Sequence, residues 1–252
     1  ACTINVKDFF AFAFYNLKIC SLRTNTFLWC NIKNGMVIFN STNSRIKNSK
    51  VNYTGVMSIN PFDLNFNIDL DNYDLLKIFD NNSIFNELIK TELLFNDNIA
   101  VSVTINTNST LKNKIFQKSI FNFNIKNGKL NINKTKLVNK KIGLVELNNS
   151  NLSLKNKKLI LNTDIIVDIK NSDELFSFLQ TNKKFRKPIQ YITINLDYDF
   201  LSNEVNFHNI KIDNKEINVE LLRVIEGFND NSLNNINKSK RILNNFFEIY
   251  EG

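Results

Sequence analysis

Long stretches of this chain alternate large apolar residues with Asn or Asp, and glycine or proline seldom interrupts them. In the run from Phe62 to Leu70, every even position is apolar and every odd position is Asn or Asp. Successive side chains of a strand point to opposite faces of the sheet, so such a run has one apolar face and one polar face. The pattern recurs at 121–125 and 192–200. The chain is therefore predicted to be mainly β.

The strand pattern predicts an antiparallel structure with a few short helices. Asn127-Gly128 is a strong hairpin signal between two alternating segments. Apolar residues at helical spacing predict helices at 83–94, 172–181, 216–226 and 239–250. The apolar strand faces could line an open groove or close on each other as a sandwich. On periodicity alone, the sandwich is the simpler interpretation.

Shifts in composition along the chain suggest three parts. Residues 1–60 resemble an incomplete N-terminal β segment, and residues 61–215 carry most of the alternating strands together with inserted helices. Residues 216–252 change to a helical pattern that would cap the end of the sheet. We therefore expect boundaries near residues 60 and 215.

The chain is basic, with a net charge of +8 and a pI near 9.3. A positive surface attracts anionic partners, which include nucleic acids and lipid headgroups. Nucleic-acid sites cluster their cations and interleave them with stacking aromatic residues, whereas the lysines here are spread along the predicted strands. Nucleic-acid binding is therefore not expected.

The three cysteines lie within the first 30 residues. Cys2, Cys20 and Cys30 lack the close pairing of zinc ligands, so neither a metal site nor a cofactor is predicted. A disulfide between two of them remains open, because its formation depends on the compartment.

Few residues are candidates for acid–base chemistry. Glu146, Asp164 and Asp168 could in principle form a pair of carboxyl groups, but Asp164 and Asp168 flank an apolar stretch and fit solvent-facing strand positions better. His208 is the only histidine and is interpreted as a surface strand residue. We therefore expect that the protein is not an enzyme.

Several segments together resemble the C-terminal region of bacterial AsmA-like envelope proteins. They are the Asn-Gly hairpin at 124–132, the Gly-Leu strand at 142–152, the acidic strand at 159–168, the helix at 173–179 and the return strands at 192–212. The resemblance covers residues 55–252 and is a pattern of elements more than a short motif.

The resemblance implies a fold and a function. AsmA-like proteins are similar to bridge-like lipid-transfer proteins, in which a bent antiparallel sheet forms an open apolar groove for phospholipid acyl chains. It implies a cell-envelope role in the periplasm, in lipid transport and outer membrane biogenesis. The full-length protein would be anchored to the inner membrane by a segment that these 252 residues do not include. The groove would be lined by Leu64, Phe66, Ile68, Val101, Val103, Ile105, Phe121, Phe123, Ile125, Leu130, Ile132, Ile192, Ile194 and Leu196.

The last predicted helix carries a second candidate site. Lys238, Lys240 and Arg241 stand at its start, where the helix dipole disfavours cations. One hypothesis is that these cations meet anionic headgroups of an inner or outer membrane while Phe246 and Phe247 reach apolar surface. The alternative is that the apolar stripe packs on the sheet and the cations are merely solvated.

A different class of function fits the same alternation. The chain could be a structural or adhesive β-sandwich that uses its Asn-rich polar face to bind protein or glycan. Lipid specificity, direction of transport and oligomeric state are not predicted from the sequence.

Overall fold

The structure is a computed structural model that describes residues 14–21, 24–33, 35–46, 49–73, 93–109, 115–155, 158–202, 204–227 and 236–250. It is mainly β, with 58% of residues in strands and three short α-helices among the described residues. The predicted fold class, a β-rich structure with a few helices, is confirmed. The chain divides into two compact units, unit 1 (Ala1–Leu130) and unit 2 (Asn131–Gly252).

Unit 1 contains seven strands that pair in the order of the sequence, followed by a short strand at its end. Each strand hydrogen-bonds to the next one along the chain. The strands are β1 (Phe14–Ser21), β2 (Thr24–Lys33), β3 (Met36–Ile46), β4 (Ser49–Ile59), β5 (Phe62–Asp71), β6 (Ile99–Asn108), β7 (Lys118–Lys126) and β8 (Lys129–Asn131).

Unit 2 combines an antiparallel meander with helices. Its strands are β9 (Thr135–Asn139), β10 (Gly143–Lys155), β11 (Lys158–Ile169), β12 (Tyr191–Asp199), β13 (Glu204–Ile212) and β14 (Lys215–Glu216), and each pairs with the next. Its helices are α1 (Ser172–Leu179), α2 (Val219–Glu226) and α3 (Ile236–Ile249). Apolar residues of β11 and β13 pack with all three helices in one buried cluster.

Local chemistry explains where these elements begin and turn. The side chain of Asn171 accepts a hydrogen bond from the Glu174 amide at 3.1 Å, and Asn218 caps α2 in the same way. At the turn between β7 and β8, Asn127 and Gly128 both have positive φ, at 53° and 63°. This conformation matches the two-residue hairpin that the Asn-Gly pair predicts.

One strand pair departs from the antiparallel expectation. β5 and β6 are parallel, with Leu64 opposite Val101 and Ile68 opposite Ile105. Parallel neighbours need a crossover connection of a dozen or more residues, and residues 72–98 supply it. The predicted helix at 83–94 falls in this connection and lies largely outside the described residues, which show a 3-10 turn at Leu93–Phe95. The sheet pairing is therefore mixed.

The predicted boundaries near 60 and 215 do not coincide with the division of the chain. Residue 60 lies in the turn between β4 and β5, and these strands pair along their whole length. A boundary at 215 would separate α2 and α3 from the strands on which they pack. The division between the two units falls instead after Leu130.

Backbone register excludes one of the disulfides that the sequence left open. Cys20 lies opposite Asn25 and Cys30 lies opposite Tyr15 in the β1–β2 pair. Their Cα atoms are thus five residues apart along the ladder, or roughly 16 Å, which exceeds the roughly 7 Å limit for a disulfide. Cys2 lies outside the described residues.

Candidate functional site

The apolar residues of three neighbouring strands in unit 1 align in rows. The β5–β6 and β6–β7 registers place apolar residues opposite one another at every second position. The rows are Leu64–Val101–Ile125, Phe66–Val103–Phe123 and Ile68–Ile105–Phe121. Because paired residues share a side of the sheet, all nine lie on one surface, which we call the apolar face.

The opposite surface, the polar face, carries the alternating Asn, Asp, Ser and Thr residues. On β5, Asp63, Asn65, Asn67 and Asp69 are exposed, while the apolar residues between them are half-buried or buried. Some polar side chains pair across the strands. Asn106 Nδ2 donates to Asp69 Oδ1 at 2.9 Å, and Thr104 Oγ1 donates to Asn122 Oδ1 at 3.1 Å. The alternation in sequence therefore produces two chemically distinct surfaces in unit 1.

Burial on the apolar face rises from β5 to β7. The three residues of β5 and the three of β6 are half-buried, whereas Phe121, Phe123 and Ile125 are at most 7% exposed. Leu130 in β8 is also buried. The face thus changes from a partly accessible surface on β5 and β6 to an interior surface on β7.

Aromatic rings extend the apolar face towards β3 and β4. Phe66 contacts the rings of Phe39 and Tyr53, with ring centroids 5.4 Å and 5.7 Å away. Phe39 and Phe66 both lie opposite Gly55 on neighbouring strands. A Cβ at Gly55 would collide with the Phe39 ring, so glycine at this position lets the ring pack on the sheet backbone.

The other four predicted groove residues belong to unit 2. Ile132 and Leu196 are buried, and Ile192 and Ile194 pack against the buried cluster that α1, α2 and α3 form with the strands. For Ile192 and Ile194 the prediction of an open groove is corrected. The apolar side of β12 is occupied by helices there, because the amphipathic helices need an apolar surface to bury their own stripe.

The predicted membrane contact of the last helix is also corrected. Phe246 and Phe247 are each 3% exposed and belong to the same buried cluster. The ring of Phe247 meets that of Phe176 edge-on, at 5.3 Å between centroids. The apolar stripe of α3 therefore packs inside unit 2 and is not available to a lipid surface.

The cations of α3 have a local explanation within unit 2. Lys240 Nζ lies 3.8 Å from the centre of the Phe178 ring, in a cation–π contact. Lys240 and Arg241 line a depression of about 320 Å3 together with Leu179 and Gln180, which end α1. The C-terminal end of a helix carries partial negative charge. This charge favours Lys240 and Arg241, which are the fifth and sixth residues of α3 and so lie beyond its first turn. Lys238 lies in that first turn and is half-buried.

A larger depression, of about 650 Å3, lies on the polar face across β3, β4 and β5. Its lining includes Phe39 and Gly55 together with three exposed apolar side chains, those of Met36 (42%), Ile38 (40%) and Val56 (39%). Its polar wall consists of Asn40, Thr54, Ser58, Asp63, Asn65 and Asn67. This site was not among those predicted from the sequence. Its signal was the apolar residues Ile38 and Val56 at positions that the alternation assigns to the polar face.

The acidic candidates do not come together as a pair of carboxyl groups. Glu146 pairs with Lys136 at 3.3 Å, and Asp164 accepts hydrogen bonds from Asn149 and Asn195, each at 2.6 Å. Asp168 lies four residues from Asp164 along β11, roughly 13 Å away. Glu146 and Asp164 thus belong to separate contacts, and Asp168 is exposed.

His208 is half exposed on β13 and contacts one carboxylate. Its Nε2 lies 2.9 Å from Asp197 Oδ2, and Asn162 Nδ2 donates to Asp197 Oδ1 at 2.8 Å. The side chain is therefore the surface strand residue that the sequence predicted.

The described residues contain neither a candidate metal site nor a helix that could span a membrane. They contain no group of three or more His, Cys, Asp or Glu residues placed to hold a metal ion. Within the same residues, no helix has the length and apolar character needed to cross a bilayer.

No protein-family model, curated protein or solved structure matches the chain.

Proposed function

We propose that this chain is a non-enzymatic lipid-binding module in which phospholipid acyl chains lie against the apolar face of unit 1. One observation carries the proposal: nine apolar side chains align in register over β5, β6 and β7, and the six on β5 and β6 remain half-buried. Such a surface has no polar group that an acyl chain would have to desolvate.

The physical chemistry of the face suits a hydrocarbon ligand. Each methylene group that leaves water contributes about 0.8 kcal/mol to binding. The strand ladder already pairs the backbone N–H and C=O groups of β5, β6 and β7, so a bound chain leaves few backbone groups unsatisfied. Affinity would then grow with the length of chain that contacts the face.

The wider cellular role is part of the same proposal and rests on the sequence resemblance. In it, the chain is a fragment of an AsmA-like protein of the bacterial cell envelope. It carries phospholipid through the periplasm between the inner and outer membranes. Neither nucleic acid nor a cofactor takes part.

Site-specific photocrosslinking to lipid tests the proposal. A photoreactive amino acid is placed at Phe66 or at its neighbour Asn65, which lies on the opposite face. The purified protein is then irradiated with vesicles that contain radiolabelled phosphatidylglycerol. We expect labelled adducts at Phe66 and none at Asn65, and the pair Val103 and Ser102 should repeat this on β6.

Two outcomes decide against the proposal. Equal labelling at Phe66 and Asn65 would show that lipid contacts the protein without distinguishing its faces. The absence of adducts at both Phe66 and Val103, in protein whose circular dichroism shows intact strands, would show that the apolar face is closed to lipid.

A further inference from the structure

We propose that the depression on the polar face of unit 1 is a binding site for a neutral carbohydrate. Nine of its eleven described lining residues lie on the surface opposite the apolar face, because the residues of one strand alternate between the two surfaces. The proposal does not depend on lipid binding, and it assigns a ligand class to a site that the lipid proposal leaves unused.

The strand registers arrange the lining side chains as a grid of three rows and three columns. β3 pairs with β4, and β4 with β5, so that side chains on one surface stand opposite one another. The rows are Met36–Ser58–Asp63, Ile38–Val56–Asn65 and Asn40–Thr54–Asn67. The apolar side chains occupy one corner of the grid, and polar side chains border it on two sides.

The apolar corner is unusual on this surface. Ile38 and Val56 lie directly opposite each other, and each remains about 40% exposed. Exposed apolar side chains that lie singly need no explanation, but a cluster in a concave site is typical of ligand contacts. The volume of about 650 Å3 lies within the range of small-ligand sites, ~300–1,000 Å3.

The polar border offers unused hydrogen-bonding groups. Within the described part of the chain, the side chains of Asn40, Thr54, Asn65 and Asn67 make no hydrogen bond. Elsewhere on the same surface, polar side chains satisfy each other, as Asp69 and Asn106 do. An Asn amide presents donors and an acceptor together, which suits a ligand with adjacent hydroxyl groups.

Charge selects among ligand classes. Among the described residues that line the depression, Asp63 is the only one with a charge, although the chain has a net charge of +8. Within this described lining, an anionic headgroup or phosphate would meet one carboxylate and no cation. A neutral carbohydrate combines hydroxyl groups with apolar C–H faces, and it fits both the polar border and the apolar corner.

Saturation-transfer difference NMR on the purified chain tests the site, with chitohexaose, maltohexaose and cellohexaose as probes. We expect transfer to at least one of these neutral hexasaccharides. The variant Val56→Lys, which places a long charged side chain in the centre of the grid, should abolish the transfer. Val56 is exposed, so this variant should keep its circular dichroism spectrum.

A milder variant separates hydrogen bonding from blockage. The double variant Asn65→Ala/Asn67→Ala should raise the dissociation constant by about tenfold, because two hydrogen bonds to the ligand are lost. The matched control is Asn206→Ala, an exposed strand residue of unit 2, which should leave binding unchanged.

The remaining outcomes overturn the proposal. It fails if none of the three hexasaccharides binds, or if Val56→Lys binds as well as the parent protein. Analytical ultracentrifugation adds a third outcome. A dimer that Val56→Lys dissociates would assign the depression to contact between two copies of the chain instead of to carbohydrate.

Discussion

The ring of Phe39 lies over Gly55, in the space that a side chain at residue 55 would occupy. The two residues stand opposite each other on β3 and β4, and Phe66 of β5 packs against the same ring. A glycine inside a strand weakens it unless something packs on the exposed backbone. The aromatic contact therefore offsets the cost of glycine at this point of unit 1.

Gly55→Ala should destabilise the protein by about 1–3 kcal/mol, because the added methyl group forces the Phe39 ring out of its place. Urea denaturation followed by circular dichroism measures the change. In a Phe39→Ala background, the same substitution should cost clearly less, since the clash is gone. Thr54→Ala, at the next position of β4 and exposed, is the control. Equal costs of Gly55→Ala in both backgrounds would show that the ring does not determine the effect.

The burial gradient across the apolar face predicts different responses to polar substitutions. Phe123 is 7% exposed, so Phe123→Asp buries an unpaired carboxylate. This variant should lower the free energy of unfolding by about 3 kcal/mol or more. Leu64 is half-buried, so Leu64→Asn should keep the fold while lipid capture at Phe66 falls. Thermal unfolding and photocrosslinking measure the two effects. A Leu64→Asn variant that unfolds like Phe123→Asp would favour a closed sandwich core over a lipid site.

The sidedness of unit 1 was predictable because strand geometry converts alternation directly into two faces. β5 illustrates it, since apolar and polar residues alternate without exception from Phe62 to Leu70 and the structure separates them accordingly. The parallel pairing of β5 with β6 was not predictable, because a period of two fits a parallel and an antiparallel neighbour equally well. The connection between two strands determines whether they pair in parallel or antiparallel, and the alternation of residues carries no information about that connection.

Two features of the candidate sites could not be predicted, because each depends on contacts between residues that are distant in sequence. The apolar stripe of α3 that contains Phe246 and Phe247 would fit a membrane surface or a sheet equally well. The residues on which it packs, such as Phe176, are distant in sequence. The depression depends on Ile38 and Val56 being neighbours on different strands. Such a cluster becomes visible only when the register is known.

The packing of α3 in unit 2 predicts a structural role for its aromatic residues. Phe247→Ala should lower the free energy of unfolding by about 3–5 kcal/mol, because it opens a cavity beside Phe176. Asn245→Ala, on the exposed side of the same helix, should change it by less than about 0.5 kcal/mol. Chemical denaturation gives both values. A Phe247→Ala variant as stable as Asn245→Ala would contradict the buried position of the ring.

Truncation distinguishes packing from membrane binding more directly. Removing residues 236–252 takes away Phe246 and Phe247 and exposes the cluster on β11 and β13. We expect hydrogen exchange monitored by mass spectrometry to show loss of protection in β12 and β13. If those strands stay protected while binding to phosphatidylglycerol vesicles falls, α3 is a membrane element and its packing role is refuted.

The surroundings of Tyr250 raise the pH at which its phenol loses a proton. Burial raises the pKa of its phenol above the ordinary 10.0, and the negative charge of Asp213 raises it further. The carboxylate of Asp213 is held in place by the backbone amides of Gln190 and Tyr191, each 2.9 Å away. Above pH 10.0 the unfolded chain releases this proton before the folded chain does. Stability therefore falls as pH rises from 10.0 towards the pKa of the folded state, and it is unaffected at lower pH.

The titration of Tyr250 is measured as the difference in tyrosinate absorbance between the parent protein and Tyr250→Phe. We expect a midpoint above 10.0 in the folded protein and a return to the ordinary value in urea. Asp213→Asn should lower the midpoint without bringing it to 10.0, because burial is the larger cause. Tyr250→Phe should also lose less stability above pH 10.0 than the parent protein does. At neutral pH, the two proteins should differ in stability only by the effect of the lost hydroxyl group. A midpoint at or below 10.0 in the folded protein would mean that the phenol is solvated and that α3 ends away from the Asp213 turn.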